Sequence, residues 1–187
     1  MRQLIVTEFV SLDGVMEAPG GEPGYAHAGW VGEFFSDDLG AYKEAEQLAA
    51  DVLLLGRVTY EGFYGAWPQR DGPFADKINT MRKVVASTTL TSSDWHDTTI
   101  VGSDVMDAVE AIKAQDGGPI LVAGSRTLVH GLLAAGLVDE LHLQVFPVLL
   151  GSGRRLYPDV PDRTTLTLRD SRALDSGVLL QTYAPAS

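Results

Sequence analysis

Three short runs without a polar residue, Val52-Leu-Leu-Leu55, Val84-Val-Ala86 and Ile120-Leu-Val-Ala123, constrain this chain more than any other feature. A strand with one face in water alternates apolar and polar residues. A strand apolar at every position needs cover on both faces, as a central parallel strand flanked by helices has. The segments around these runs supply the helices. Ser36 and Asp37 can cap a helix that aligns Leu39, Tyr42, Ala45, Leu48 and Ala49. Ser103 can cap a second with Val105, Val109 and Ile112 on one face. Ser125 opens a third that carries Leu128, Val129, Leu132 and Leu133 until Gly136 stops it. Strand and helix alternate, so the class is α/β.

The two ends of the chain read differently. Residues 3–10, QLIVTEFV, are β-branched and apolar, and the turn signal SLDG follows, so a first strand ends near Ser11. Beyond Gly136, Leu141, Leu143 and Val145 alternate with polar residues. TTLTLRDSRAL and VLLQTYA then flank Asp175-Ser176-Gly177, a hairpin turn. The sheet is therefore expected to be mixed: mostly parallel, with a C-terminal antiparallel hairpin. Residues 15–33 form a Gly- and Pro-rich stretch, long for a loop in a compact domain and of the kind that carries function.

A length of 187 residues suits one domain spanning 1–187. With 45% hydrophobic and 21% charged residues, the composition is that of a folded soluble protein. No apolar run approaches the roughly 20 residues of a spanning helix, and no cleavage-like segment follows the N-terminal strand, so a cytoplasmic location is expected. The formal charge of −11 repels nucleic acid and anionic membrane, so any anionic ligand must be held by local donors, and a small molecule is the expected partner. The absence of cysteine removes disulfides, thiol nucleophiles and thiolate metal sites. Four histidines without a pair at ligand spacing argue against a metal site, and the lack of a GxSxG elbow argues against a serine hydrolase.

In open α/β sheets, ligands sit beyond the carboxyl ends of strands, where helix starts offer free N–H groups and a partial positive charge. Three strand ends here carry the residues for that task. Gly56, Arg57 and Thr59 follow the first run; Ser87, Thr88 and Thr89 follow the second; Gly124, Ser125, Arg126, Thr127 and Leu128 follow the third. Taken singly, each is an ordinary turn or cap. Together they could hold several phosphates. No GxGxxG fingerprint is present, and the lone GxG at residues 151–153 precedes no clear helix, so a different dinucleotide fold is required.

Those residues carry a resemblance. The segment from Asp38 through LLLGRVTYE is similar to dihydrofolate reductase around its first phosphate-binding turn, and VAGSRTL resembles the second. SLDG, LLLGRVTYEGF, AGSRTL, GLVDELHL and PVLLGSGRRLYP resemble, over nearly the whole chain, small relatives of the reductase domain of the bifunctional riboflavin-biosynthesis deaminase-reductase. The resemblance implies a dihydrofolate-reductase-like three-layer α/β/α fold binding NADPH. It implies a reductase that transfers hydride to a small C=N or C=O substrate, related to 5-amino-6-(5-phosphoribosylamino)uracil reductase. Gly56, Arg57 and Thr59 would hold the pyrophosphate side of the cofactor, Ser87 to Thr89 its adenosine and 2′-phosphate end, and Gly124 to Leu128 the diphosphate again. The chain has Ala123-Gly124 where dihydrofolate reductases have adjacent glycines, and it lacks the cysteines of the companion zinc deaminase.

Hydride transfer also needs a positioned acceptor and usually a proton source. Asp13, at the end of the first strand, is the first candidate near the nicotinamide; its other reading is a turn aspartate. Asp38 matches the acid of dihydrofolate reductase that binds the pterin, although an acid at a helix start also serves the macrodipole. Trp30, Tyr42 and Trp67 could wall an aromatic substrate pocket, or be plain core. Two alternatives stand beside the reductase: a pterin-type reductase, and a non-catalytic nucleotide-binding homodimer. A homodimer is expected from the apolar segment VFPVLL at 145–150.

Overall fold

A computed structural model describes residues 1–157 and 163–186. Its elements in chain order are β1 (Leu4–Ser11), a 3-10 turn (Gly32–Phe34), α1 (Asp37–Ala49), β2 (Val52–Gly56), α2 (Arg57–Ala66), α3 (Pro73–Thr80), β3 (Arg82–Ala86), β4 (Thr98–Val101), α4 (Val105–Lys113), β5 (Ile120–Ala123), α5 (Arg126–Ala134), β6 (Glu140–Phe146), β7 (Leu166–Ala173) and β8 (Leu179–Pro185). They pack as two compact units. The first holds Met1–Val6 and Tyr42–Asp139; the second holds Thr7–Ala41 and Glu140–Ser187.

In the first unit the strands lie in the order β4-β3-β2-β5, with the start of β1 beside β5. β2 runs parallel to both β3 and β5, with Val52 opposite Arg82 on one side and Ile120 on the other. β3 runs parallel to β4. The three apolar runs are thus the three central strands, and their side chains are almost wholly withdrawn from water on both faces. Burial of each such Leu, Ile or Val contributes about 1.5–3 kcal/mol. α2 follows β2 without an intervening residue, and Tyr60, Ile78, Met81 and Trp95 close a core over Leu53, Leu55 and Val85. α5 ends as expected at Gly136, where Gly136 N–H donates to Leu133 O and Leu137 N–H to Leu132 O.

The sequence leaves two elements of this unit unread, α3 and β4. α3 is eight residues long and starts on Pro73, a signal for a first helical position. α4 starts later than expected: Asp104 occupies the N-cap, and Ser103 bonds the Asp104 carboxylate instead of a helix N–H.

In the second unit β6 pairs with β8 and β8 with β7, both antiparallel, and the end of β1 lies beside β6. The Thr7 hydroxyl and the Gln144 side chain bond each other across β1 and β6. The expected hairpin closes through Gly177 N–H to Leu174 O and Leu174 N–H to Val178 O. A register shift between Leu168 and Asp170 leaves Arg169 as the extra residue of β7. The apolar segment at 145–150 divides: Phe146 is fully buried, with the rings of Phe9, Trp30 and Phe34 packed edge-on around it, whereas Leu149 is 70% exposed. Pro158, the last residue of the GSGRRLYP motif, lies outside the described residues.

Candidate functional site

The ends of β2 and β5 form one construction within the first unit. Gly56, extended at φ −79° and ψ 159°, caps α2 with no side-chain bond to the helix N–H groups. At the end of β5, Gly124 (φ 57°) and Ser125 (φ 66°, ψ 48°) are both left-handed, and α5 opens after them, likewise without a side-chain cap. A left-handed serine is uncommon and is held by its surroundings. The Ser125 hydroxyl accepts the Gly56 N–H at 2.7 Å, reaches Thr59 Oγ1 at 3.0 Å and lies 3.3 Å from Ala123 O. Two glycines permit the approach. A Cβ on Gly124 would stand 3.0 Å from Thr59 Oγ1, and one on Gly56 would stand 3.3 Å from Ser125.

The arrangement presents two helix starts side by side, with backbone N–H groups and the Thr59 hydroxyl as donors. An oxyanion is the ligand that such donors and two aligned helix dipoles favour. Arg57 is exposed and forms an ion pair with Glu61 one turn on, at 2.9 Å to each carboxylate oxygen. Arg126 and Ser125 are half-buried, Thr127 is exposed, and Leu128 turns into the core at 8% exposure, leaving only its backbone for a ligand.

The third turn stands one strand further along, since Gly56 is in register with Ala86. Ser87 holds this turn together. Its hydroxyl accepts the N–H groups of Thr89 (3.2 Å) and Leu90 (2.9 Å), and its own N–H donates to Val101 O. Thr88 and Thr89 are exposed.

The residues considered for the substrate end divide between the units: Asp13, Asp38 and Trp30 lie in the second, Tyr42 and Trp67 in the first. Asp13 anchors a loop. Its carboxylate accepts the Ser11 hydroxyl at 2.6 Å and the N–H groups of Leu150 (3.1 Å) and Gly151 (2.8 Å). Chiefly through the Ser11 bond, and against the effect of burial, its pKa is pulled down to about 2. Around it, Leu12 N–H donates to Val148 O, Leu156 N–H to Gly14 O and Tyr25 OH to Ser152 O, so residues 11–16 and 148–156 are laced into one surface.

Asp38 is likewise held below the usual carboxylate range, first by the Ser36 hydroxyl and then by the N–H groups of Leu39 and Asp175. Trp30 is buried, with its indole N–H on Glu17 O. Tyr42 is half-buried. Trp67 packs on Phe63 and Phe74, and the Arg70 guanidinium lies 4.5 Å above its ring.

Sequence reasoning passed over Lys83. It reads as a strand-end cation, yet it is fully buried. Its ammonium donates to the carbonyls of Met81 (2.7 Å), Asn79 (3.1 Å) and His96 (3.1 Å). The only signal was its place directly before a run covered on both faces. Among the described residues, no group of three His, Cys, Asp or Glu side chains is gathered for a metal, and no helix is long and apolar enough to cross a membrane.

Comparison with known proteins adds independent findings. Residues 2–180 match the family described as the RibD C-terminal domain. The uncharacterized protein YyaP of Bacillus subtilis (strain 168) is 28% identical over 187 residues, covering 97% of this chain and 94% of its own. Among solved structures, a Shewanella sp. PV-4 protein named for riboflavin biosynthesis superposes with a TM-score of 0.77 at 21% identity, over 99% of each chain. The Thermotoga maritima deaminase/5-amino-6-(5-phosphoribosylamino)uracil reductase gives 0.67 at 13% identity, over 99% of this chain and 57% of its own. Dihydrofolate reductase from Enterococcus faecalis, complexed with NADP(H), gives 0.61 at 17% identity, over 99% of this chain and 97% of its own. At these identities the superpositions establish a dihydrofolate-reductase-like fold.

Proposed function

The chain belongs to the RibD C-terminal domain family, and on that premise we propose that it is an NADPH-dependent reductase of a small C=N or C=O substrate, related to the uracil reductase of riboflavin biosynthesis. One observation carries the cofactor assignment: the paired, side-chain-uncapped helix starts at Gly56 and Ser125, with glycines where backbone must come close. A dinucleotide pyrophosphate has the charge and the acceptor oxygens that this donor set matches. In this reading the first N–H groups of α2 and α5 and the Thr59 hydroxyl bind the diphosphate. Arg57 exchanges part of its pairing with Glu61 for a phosphate oxygen, and the turn at Thr88 and Thr89 receives the adenosine end.

Bound NADPH would supply the hydride. The side chains near the end of β1 have a different task. Asp13 carries no proton at neutral pH, so it orients the 148–151 loop by accepting its N–H groups, and the proton that follows the hydride comes from solvent. The same ionised carboxylates favour one second reading, a nucleotide-binding protein without turnover. The two readings separate in one experiment: titration with NADPH and NADH, then oxidation of the bound nicotinamide followed by absorbance across a panel of pyrimidine, pterin and carbonyl substrates. The reductase reading fails if neither dinucleotide binds; binding without oxidation by any substrate favours the second.

A further inference from the structure

We infer that Ser125 is a positioning residue: it fixes Thr59 as an obligate hydrogen-bond donor to an anionic ligand and couples the two helix starts into one cradle. The inference deepens the NADPH reading and rests on it. Its basis is the direction of two consecutive hydrogen bonds.

A backbone N–H can only donate. The 2.7 Å bond between Gly56 N and Ser125 Oγ therefore makes the serine oxygen an acceptor there and removes the Gly56 N–H from the donors open to a ligand. The single Ser125 proton then has two acceptors in reach, Thr59 Oγ1 at 3.0 Å and Ala123 O at 3.3 Å, and the nearer is the threonine. A threonine oxygen that accepts there keeps its own proton to give elsewhere. Among the described residues that proton has no acceptor. The chain Gly56 N–H to Ser125 O–H to Thr59 O–H thus runs one way and ends on an open donor. Each bond in such a chain polarises the next, so the last proton is a stronger donor than an isolated hydroxyl.

The backbone is shaped for this. Ser125 takes a left-handed conformation that puts its hydroxyl back over β2 rather than onto its own helix, and α5 is left without a side-chain cap as a result. Gly124 keeps clear the space beside Thr59 Oγ1, where a Cβ would stand at 3.0 Å. Thr59 lies in the first turn of α2, ten residues long, so its proton is delivered where the helix field also favours negative charge. Ser125 is thereby moved from the set of direct cofactor contacts to the residue that orients one.

The test is a double-mutant cycle read by calorimetric binding of NADP⁺ and of inorganic pyrophosphate to the full chain. Ser125→Ala should weaken both about fivefold, as expected for loss of a neutral hydrogen bond that acts through a neighbour. The loss should persist in a Thr59→Ser background, which keeps the hydroxyl, and vanish in a Thr59→Val background, which has none to orient. Ser125→Gly repeats the measurement without the left-handed strain, should the alanine variant fold poorly. Equal losses from Ser125→Ala in the Thr59→Val and wild-type backgrounds would overturn the inference alone, as would no loss at all. If the wild-type chain binds neither ligand, the NADPH reading falls and the inference with it.

Discussion

The ammonium of Lys83 sits 4.5 Å from the centre of the Trp95 ring, and Asn79 ties the two together, its backbone carbonyl taking a Lys83 proton and its side-chain oxygen taking the Trp95 indole proton. A lysine without exposure survives in a core only if its donors are matched. Three carbonyls and an aromatic face match this one. Lys83→Met therefore removes a charge that was costly to bury but takes the ammonium donor from the carbonyls of Asn79 and Met81 and leaves His96 O only the Thr98 hydroxyl at 3.5 Å, with a loss of about 2 kcal/mol in denaturant unfolding near neutral pH.

The same lysine gives a pH signature. Burial pulls its pKa down to about 8, against the opposing Asp97 charge, from an ordinary 10.5. Between these values the unfolded chain binds the extra proton and the folded chain does not, so Lys83 adds stability as pH rises through that interval. The stability of wild type relative to Lys83→Met is expected to grow from about pH 8 to about pH 10 and to be flat below. A difference that shrinks over the same range would show that the ammonium, not the amine, is the favoured form.

Asp13 predicts the opposite limb. Its pKa is lowered to about 2 from 3.8, so its contribution is complete above about pH 5 and is lost as pH falls through about 4 toward 2. Asp13→Asn replaces one acceptor oxygen by an amide that must face an N–H donor. The stability gap between wild type and Asp13→Asn should hold steady from neutral pH to about 5 and close below about 4 in acid unfolding curves. Because Asp13 stays ionised throughout the working range, its removal should leave the shape of the turnover-against-pH profile unchanged. A limb that disappears in the variant would restore Asp13 as a proton donor.

How far the sequence carried these conclusions depends on the scale of the signal. VLLL, VVA and ILVA announced covered parallel strands because a strand apolar at every position needs cover on both faces, and Gly136 announced the end of α5, where Gly136 N–H donates to Leu133 O and Leu137 N–H to Leu132 O. The strand-end turns were legible as donor clusters. What their hydroxyls bond was not, since a side-chain hydroxyl chooses partners by proximity in space: Ser125 and Gly56 are 69 positions apart. Lys83 was missed for a different reason. Its partners Asn79 and Met81 are four and two positions away and His96 thirteen, but a lysine at a strand end ordinarily reads as solvated, and only the folded chain turns the ammonium back onto these carbonyls.

Arg57 yields a pair of predictions with opposite signs. It is 43% exposed and bonded to Glu61, itself 49% exposed, so the ion pair contributes no more than about 0.5 kcal/mol to folding. Arg57→Ala should leave the unfolding midpoint almost unmoved while weakening NADPH binding about tenfold, the scale of a lost charge-assisted contact to phosphate. Glu61→Gln frees the guanidinium from its competitor and should tighten NADPH about twofold, with the gain fading as salt is added. Parallel loss of stability and binding in Arg57→Ala would return the segment to a purely structural role.

Gly124 tests the cradle from its tightest point. At φ 57° a side chain is strained by about 1 kcal/mol wherever it sits. Here the new Cβ would also stand 3.0 Å from Thr59 Oγ1 and 3.2 Å from Thr59 Cγ2, tighter than most such contacts, so that the threonine must give way by a few tenths of an ångström. The threonine rotamer is restricted by its branched Cβ and by α2, so either the hydroxyl swings away from Ser125 or the β5 turn lifts from β2. Both outcomes break the donor chain while leaving Arg57 and the first N–H groups of α2 in place. Gly124→Ala is therefore expected to lower stability by about 1–2 kcal/mol and to weaken NADPH by more than Ser125→Ala does. Combining Gly124→Ala with Thr59→Ala, which trims the branched side chain but leaves the backbone strain at φ 57°, should recover the clash part of the lost stability but not affinity. Recovery of both in that double variant would mean that the Thr59 hydroxyl never touched the ligand and that Gly124 serves packing alone.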